Sequence, residues 1–179
     1  MNTIQYLCRM KGVLAMATLL VSMACKSEDL AKPVAPLATH CMPTETNYFS
    51  CRIQGTQKVA SLCGRPVNEL PADEVAPDLG LEYRFGRIAQ VEFRFPSDRT
   101  RPAQKFFGEH LQPYGEGVSI DSVLFESGDA SYAVLVREGR SKFIGVSVAI
   151  GKKYRELPCD TSANVSSFFS LVLTLPPPK

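Results

Sequence analysis

The six cysteines are the residues of this chain whose spacing says most about chemistry. A thiol can bind a metal ion, join a second thiol in a disulfide or carry a lipid. No two cysteines have the Cys-x-x-Cys spacing of a zinc site, and His40, beside Cys41, is the only histidine close to one. We therefore expect no metal and no cofactor, and we expect the cysteines of the folded domain to form disulfides.

The first 24 residues have the composition of an export signal. Arg9 and Lys11 supply positive charge, and the uncharged, mostly apolar run 12–24 follows them. As a helix this run would be about 20 Å long, which is shorter than the ~30 Å hydrocarbon core of a bilayer. Segment 1–24 is therefore predicted to be a signal peptide and not a membrane span.

Ala24-Cys25 at the end of this run resembles the cleavage site of bacterial lipoproteins. The resemblance implies that the Cys25 thiol carries a lipid and that residues 25–39, with two prolines and mixed charge, form a tether. Lys26 in place of Asp favours the periplasmic side of the outer membrane in that family's sorting rule. Ser22-x-Ala24 also suits an ordinary signal peptidase, so a soluble periplasmic or secreted protein is the alternative.

Four cysteines remain for the exported domain and predict two disulfides; they are Cys41, Cys51, Cys63 and Cys159. Two short strand-like runs flank Gly55-Thr56-Gln57. A three-residue loop over 56–58 would place Cys51 directly opposite Cys63, at a separation that a disulfide bridges with little adjustment. We therefore expect Cys51 to pair with Cys63, which leaves Cys41 for Cys159.

From residue 46 onward apolar and polar residues alternate, which is typical of half-buried antiparallel strands. Residues 81–85 and 89–95 show this pattern clearly, and Phe85-Gly86-Arg87 is predicted to be the turn between them. Eight or nine short strands of this kind indicate an all-β fold. We expect an antiparallel sandwich or small barrel that is held by its disulfides and spans residues 40–175.

The end of the chain predicts a change of secondary structure. Ser162 is a typical N-cap residue, and the apolar residues after it have the spacing of one helix face. We expect a short C-terminal helix, with a final strand as the alternative. The prolines of the tail, residues 176–179, end any regular structure.

Three stretches together resemble a group of uncharacterised exported proteins from proteobacteria. They are Glu45-Thr46-Asn47-Tyr48-Phe49-Ser50-Cys51, then Ser61-Leu62-Cys63-Gly64, then Leu81-Glu82-Tyr83-Arg84-Phe85-Gly86. In one-letter code the shared pattern is E-T-x-Y-F-S-C, S-L-C-G and L-x-Y-R-F-G. The resemblance covers about residues 45–95 and implies export and a similar fold, and it carries no known activity.

The order of three other features is similar to that in small β-rich inhibitors of c-type lysozyme. They are Tyr48-Phe49-Ser50-Cys51, Ser127-Gly128-Asp129-Ala130-Ser131-Tyr132 and Cys159. In that family a Ser-Gly loop followed by a Tyr enters the lysozyme cleft; here the loop is one residue longer. The resemblance implies that Ser127, Gly128 and Tyr132 contact a protein partner such as a lysozyme-like enzyme. Tyr132 also has the parity of Val134 and Val136, which predicts a core-facing side chain instead.

The most basic stretch of the chain offers a further contact surface. Arg94, Arg99 and Arg101 are its candidate contact residues, because guanidinium groups bind carboxylates and phosphates bidentately. Binding to nucleic acid is not expected. The chain has 20 Lys+Arg and 18 Asp+Glu, and two of the cations lie in the predicted signal, which leaves 18 charges of each sign.

No catalytic signature appears in the sequence. The only acid–histidine neighbours are Glu109-His110, and adjacent residues of a strand point to opposite faces. We therefore expect a non-catalytic envelope lipoprotein that binds a macromolecular partner, as an inhibitor or immunity protein does. A structural or ligand-carrying envelope component and a periplasmic hydrolase are the alternatives.

Overall fold

The computed structural model describes residues 38–67, 79–97, 105–115 and 117–179. These form nine strands and one helix: β1 Thr46–Ile53, β2 Lys58–Gly64, β3 Glu82–Arg87, β4 Gln90–Phe95, β5 Phe107–Leu111, β6 Ser119–Ser127, β7 Ala130–Glu138, β8 Phe143–Ile150, β9 Lys153–Asn164 and α1 Phe168–Thr174. The predicted signal peptide, most of the tether, and the candidate residues Cys25, Arg99 and Arg101 lie outside the described ranges.

The nine strands form one antiparallel sheet in the order β4-β3-β2-β1-β9-β8-β7-β6-β5. Each neighbouring pair is antiparallel, so the predicted all-β antiparallel fold with a short C-terminal helix is confirmed. The order begins at β4 and ends at β5, and these two strands are not paired. The sheet is therefore not closed into a barrel.

Strand β9 joins the two halves of the sheet. Its first part, Lys153–Pro158, pairs with β8, and its second part reaches β1 through Cys159–Asn164. The halves β1–β4 and β5–β8 then face each other, since rings of β3 and β4 contact rings of β6 and β7. One buried cluster of apolar side chains lies between them. The arrangement is that of a sandwich whose two layers share one long strand.

The C-terminal helix forms, but it begins later than predicted. Ser162 lies in β9, because this strand continues to Asn164, which pairs with Ser50 of β1. Ser167 occupies the N-cap position and makes no side-chain hydrogen bond there. The predicted cap at Ser162 is therefore wrong, because pairing with β1 keeps the chain extended past it.

Helix α1 covers one end of the core. The ring of Phe168 lies 5.8 Å from the ring of Phe49 on β1. Gly108 of β5 allows the helix to approach, because a Cβ at this position would lie 2.0 Å from the carbonyl oxygen of Val172. Within the described ranges, no helix has the length and apolar character needed to cross a membrane.

The turn between β3 and β4 differs from the prediction. Phe85-Gly86-Arg87 belongs to β3, and Ile88 and Ala89 form the turn, with Arg87 opposite Gln90. Ala89 has a φ of 66°, a value that side-chain-bearing residues rarely adopt. The glycine in the sequence suggested the turn at Gly86, but this glycine serves a different purpose inside the strand, as described below.

Both disulfides form, with a pairing that differs from the prediction. The bonds are Cys41–Cys63 and Cys51–Cys159, with Cα–Cα distances of 5.4 Å and 5.5 Å. One ties the segment before β1 to β2, and the other ties β1 to β9. Two disulfides in a domain of this size are typical of a protein that folds outside the reducing cytoplasm.

The predicted pairing fails because the register of the first hairpin is different. The turn between β1 and β2 has four residues, 54–57, and a register shift occurs within β1. The four-residue turn places Cys51 opposite Ala60 and not opposite Cys63, while the register shift lies farther from the turn, between Asn47 and Phe49. Since Ala60 and Leu62 share a face with Cys51, Cys63 points to the other face of the sheet. A disulfide between Cys51 and Cys63 is therefore geometrically impossible.

Candidate functional site

Six aromatic rings fill the space between the two halves of the sheet; they are Tyr83, Phe93, Phe95, Phe106, Phe125 and Tyr132. Three contacts are stacked. The ring centroids of Phe95 and Phe125 are 4.6 Å apart, those of Phe125 and Tyr132 4.9 Å, and those of Tyr132 and Phe93 5.3 Å. Because the stack runs from β4 through β6 and β7 back to β4, it fixes the separation of the two halves.

A cleft of about 360 Å³ lies beside this stack. Its apolar walls are Tyr83, Phe85, Phe93, Tyr132, Val148 and Leu157, and Glu92 adds a carboxylate. Phe93 and Tyr132 are partly exposed, so solvent reaches the cleft. An apolar lining with a few polar groups, at a volume of roughly 300–1,000 Å³, is typical of sites that bind small molecules.

Tyr83 is the buried residue among those that line the cleft, and its hydroxyl is a polar group of the lining. The Tyr83 side chain is 1% exposed, and burial, with a smaller effect of Tyr132, raises the pKa of its phenol far above the ordinary value. No hydrogen bond joins this hydroxyl to another described residue. Fully enclosed polar side-chain atoms of the described residues all have a partner, so the hydroxyl must reach the space of the cleft. It is therefore available to a ligand.

A bulge in β4 turns Glu92 toward the cleft. Phe93 pairs with Phe85 and Val91 pairs with Gly86, so Glu92 is an extra residue with no counterpart on β3. Gly86 permits the bulge. Its φ is 151°, and a Cβ at this position would lie 2.6 Å from the amide nitrogen of Glu92. The glycine that the sequence presents as a turn residue therefore places a carboxylate at the cleft.

Lys58 meets this carboxylate at the mouth of the cleft. Its Nζ donates to Glu92 at 2.6 Å and lies 5.4 Å from the centroid of the Phe85 ring. The two charged side chains are 38% and 34% exposed, so their ion pair contributes little to stability. Its effect is on position, because it holds an ammonium group directly over an aromatic wall of the cleft.

A second, more polar cavity of about 460 Å³ lies close to the first, because Lys58, one of its lining residues, contacts Glu92 and Phe85 of the cleft. It lies at the β1–β2 turn and is lined by the cations Arg52, Lys58 and Arg87 and by Asp160. Arg52 and Arg87 are exposed. The apolar cleft and a mainly basic cavity are therefore neighbours.

The structure does not form the predicted partner loop over Ser127–Ser131. Ser127, the last residue of β6, pairs with Ala130, the first residue of β7, and Gly128-Asp129 is a two-residue turn. Gly128 has a φ of 60° and Asp129 does not have a positive φ, which is the sign pattern of a type II′ hairpin. The turn is therefore shorter than the predicted loop, and contact of Ser127 and Gly128 with a partner stays a prediction.

The predicted contact residues do not form one surface. Tyr132 faces the interior and stacks on Phe125, as its parity with the valines of β7 predicted, whereas Ser127 and Gly128 line a separate surface pocket. Arg94 lies on the outer face of β4, where it donates to Glu82 at 2.8 Å. Tyr132 is thus the only one of these four residues that lines the aromatic cleft.

A buried ionic network lies on the outer face of β3, opposite the face that lines the cleft. The guanidinium of Arg84, which is 3% exposed, donates to Glu45 at 2.6 and 2.7 Å, to Glu82 and to the carbonyl oxygen of His40 at 2.8 Å. The hydrogen bonds with Glu45 raise the pKa of Arg84, and burial opposes this with a smaller effect. The Cys41–Cys63 disulfide anchors the segment that carries His40 and Glu45. The network is structural, since its charges are turned away from the cleft.

The histidine that the sequence paired with Glu109 has another partner. His110 lies opposite Asp121 on β6, with 2.7 Å between its Nδ1 and the aspartate Oδ1. Its ring also packs edge-on against Phe169. Among the residues that the structure describes, no hydroxyl or thiol hydrogen-bonds to His110, so this pair lacks the nucleophile of a hydrolytic triad.

Among the residues that the structure describes, one group of side chains has ligand atoms close enough together for a metal ion. The atoms of Cys41, Glu45 and Cys63 lie within 4.8 Å of one another. Both sulfurs are joined in a disulfide, and a disulfide sulfur is not the thiolate that metals bind. The oxidised domain therefore uses this group as a covalent link.

The chain matches no family model, no curated protein and no solved structure. Its function must therefore be inferred from the geometry of its own cleft. Sequence reasoning identified Tyr132 but missed Lys58, Tyr83, Gly86 and Glu92, although Tyr83 and Gly86 stand in the L-x-Y-R-F-G stretch.

Proposed function

We propose that this chain is an exported, non-catalytic binding protein whose aromatic cleft holds a small apolar molecule that carries a ring. The carrying observation is the cleft itself, which is walled by the stacked rings of Phe93 and Tyr132 and has Tyr83 as the buried residue of its lining. The Tyr83 hydroxyl makes no hydrogen bond with a described residue and is not fully enclosed, so a ligand with a polar atom at one end would supply that bond.

The aromatic walls support a ring as the apolar part of the ligand. Phe93 and Tyr132 stack at 5.3 Å with an angle of 17° between their planes, and both edges reach the partly exposed cleft. A flat ligand packs against such ring edges without moving the stacked rings. This proposal favours the ligand-carrying alternative over a macromolecular partner.

Binding of N-phenyl-1-naphthylamine, a neutral two-ring dye that fluoresces in apolar sites, tests the proposal. With the full mature chain we expect saturable binding at one site, and Phe93→Ala should weaken it about tenfold through loss of stacking and apolar contact. Phe169→Ala is the matched control, because Phe169 is 49% exposed on α1 and lies outside the cleft. Equal affinity in all three proteins, or no saturable binding, contradicts the proposal.

Export and lipidation at Cys25 are part of the same proposal. The two disulfides support an oxidising compartment, and the leader sequence supports attachment to the outer membrane on its periplasmic side. Mass spectrometry of the mature N-terminus tests this. An acylated Cys25 is expected, and an unmodified N-terminus would leave a soluble periplasmic or secreted protein.

A protein partner is the second candidate, and the outer side of α1 favours it. Phe169 and Leu173 are 49% and 61% exposed there, and Leu111 on β5 is 44% exposed. Exposed apolar side chains of this size are typical of contact surfaces. An assay with c-type lysozyme tests the lysozyme-like partner, and unchanged lysozyme activity at micromolar excess of the chain rejects it.

A further inference from the structure

The mouth of the cleft carries an excess of positive charge. Lys58 and Arg87 lie directly opposite each other on β2 and β3. Opposed residues on neighbouring strands have Cβ atoms about 4.5–5.5 Å apart, so both cations extend from the same face of the sheet. Glu92 balances one of the two cations, whereas Arg87 is exposed and makes no ion pair with another described residue. The pair therefore retains one unbalanced positive charge.

Lys58 also keeps donors that the protein does not use. An ammonium group has three N–H donors, and Glu92 is the single described acceptor of Lys58. The remaining donors lie over Phe85, at the border between the apolar cleft and the basic cavity. A ligand whose ring enters the cleft would bring a group at its outer end to this border.

We propose that the cleft selects amphiphiles with a negatively charged head, a carboxylate, sulfonate or phosphate, which Lys58 and Arg87 bind while the ring lies against Phe93 and Tyr132. This selectivity rests on the proposed function. Arg87 binds the head through its planar pair of N–H groups, and Lys58 adds a donor while it stays on Glu92. Glu92 is a positioning residue, since it holds the ammonium group at the border without touching the ligand.

Two dyes with the same rings separate the charge from the apolar contact. 8-Anilino-1-naphthalenesulfonate is N-phenyl-1-naphthylamine with an added sulfonate. With the full mature chain we expect the sulfonate dye to bind about tenfold more tightly than the neutral dye, as two partly exposed ion pairs allow. Because exposed charges are screened by salt, this advantage should shrink between low salt and 1 M salt.

Variants identify the residues that recognise the head. Arg87→Gln and Lys58→Gln should each weaken sulfonate-dye binding about threefold, and this loss should exceed any change in neutral-dye binding. Glu92→Gln should strengthen sulfonate-dye binding, since it removes a negative charge from the mouth. Arg140→Gln is the matched control, because Arg140 is an exposed arginine in the β7–β8 turn, outside both cavities.

The outcomes distinguish the two proposals. The charge selectivity is wrong if the neutral dye binds through Phe93 but the sulfonate dye binds no more tightly. It is also wrong if Arg140→Gln weakens sulfonate-dye binding as much as Arg87→Gln does. In both cases the proposed apolar binding site still stands. If Phe93→Ala changes the binding of neither dye, the proposal that the cleft binds a ligand is wrong. Both proposals are supported if the sulfonate dye binds more tightly than the neutral dye, and if this difference in affinity shrinks in the Lys58 and Arg87 variants and at high salt.

Discussion

Replacement of Arg84 by methionine gives the sharpest test of how this fold is held together. The Arg84 side chain is 4% exposed and its two carboxylate partners, Glu45 and Glu82, are 16% and 6% exposed. Methionine keeps the apolar stem and removes every donor. Two nearly buried carboxylates would then lose their main counter-charge, and the carbonyl oxygen of His40 would lose its guanidinium donor.

The expected cost is large for a domain of this size. Removal of one partner from a buried ion pair costs about 3–5 kcal/mol, because the other charge stays in the interior without compensation. A domain stability of about 5–15 kcal/mol would fall by a fifth or more. With a urea m-value of about 2 kcal/mol/M, the midpoint of unfolding of Arg84→Met should fall by roughly 2 M.

Arg94→Met is the matched control for this experiment. Arg94 also binds Glu82, at 2.8 Å, but its side chain is 42% exposed. Loss of an exposed ion pair costs about 1 kcal/mol or less, so the urea midpoint should move by no more than about 0.5 M. If the two variants lose the same stability, burial does not decide the strength of these ion pairs. The network would then have no special role in the fold.

Two further predictions concern a glycine and a tyrosine. Gly86→Ala should cost roughly 3 kcal/mol of unfolding free energy, because the added Cβ would meet backbone atoms. Gly55→Ala is the control and should cost about 1 kcal/mol, because Gly55 has a φ of 73° but open space around it. Equal urea midpoints for the two variants would contradict the bulge. Burial raises the pKa of Tyr48 to about 12 from 10.0, so the folded state keeps its proton while the unfolded chain ionises, and stability must fall as pH rises from 10 toward 12. Urea unfolding at pH 8 and pH 11.5 checks this, and a fall that is as steep in Tyr48→Phe as in the unchanged protein would refute it.

Local patterns of the sequence were sufficient to predict the strands. Alternation of apolar and polar residues marks β3 and β4, and it correctly assigns Phe93 and Phe95 to the interior. It assigns Glu92 to the solvent side, because the pattern assumes a regular strand. The bulge opposite Gly86 breaks that assumption, and the carboxylate reaches Lys58 instead. Irregular backbone of this kind depends on contacts between strands, which alternation does not report.

The disulfide pairing could not be predicted from the sequence for a related reason. It depends on the register of β1 against β2, and a change of one residue in the turn reverses every face assignment. It also depends on β9, whose second half leaves β8 and pairs with β1 more than 100 residues earlier in the chain. The sequence marks neither the turn length nor the point where β9 changes partner. Both are decided by packing between distant segments.

Strand β3 connects the support of the fold with the proposed site. Its outward residues Glu82 and Arg84 belong to the buried network. Its inward residues Tyr83 and Phe85 line the cleft, and Arg87 lines the basic cavity beside it. A strand held on both faces has little freedom to adjust, so the cleft is formed before any ligand arrives. A preformed site avoids the entropy cost of ordering its walls on binding, which favours a rigid, ring-bearing ligand over a flexible chain.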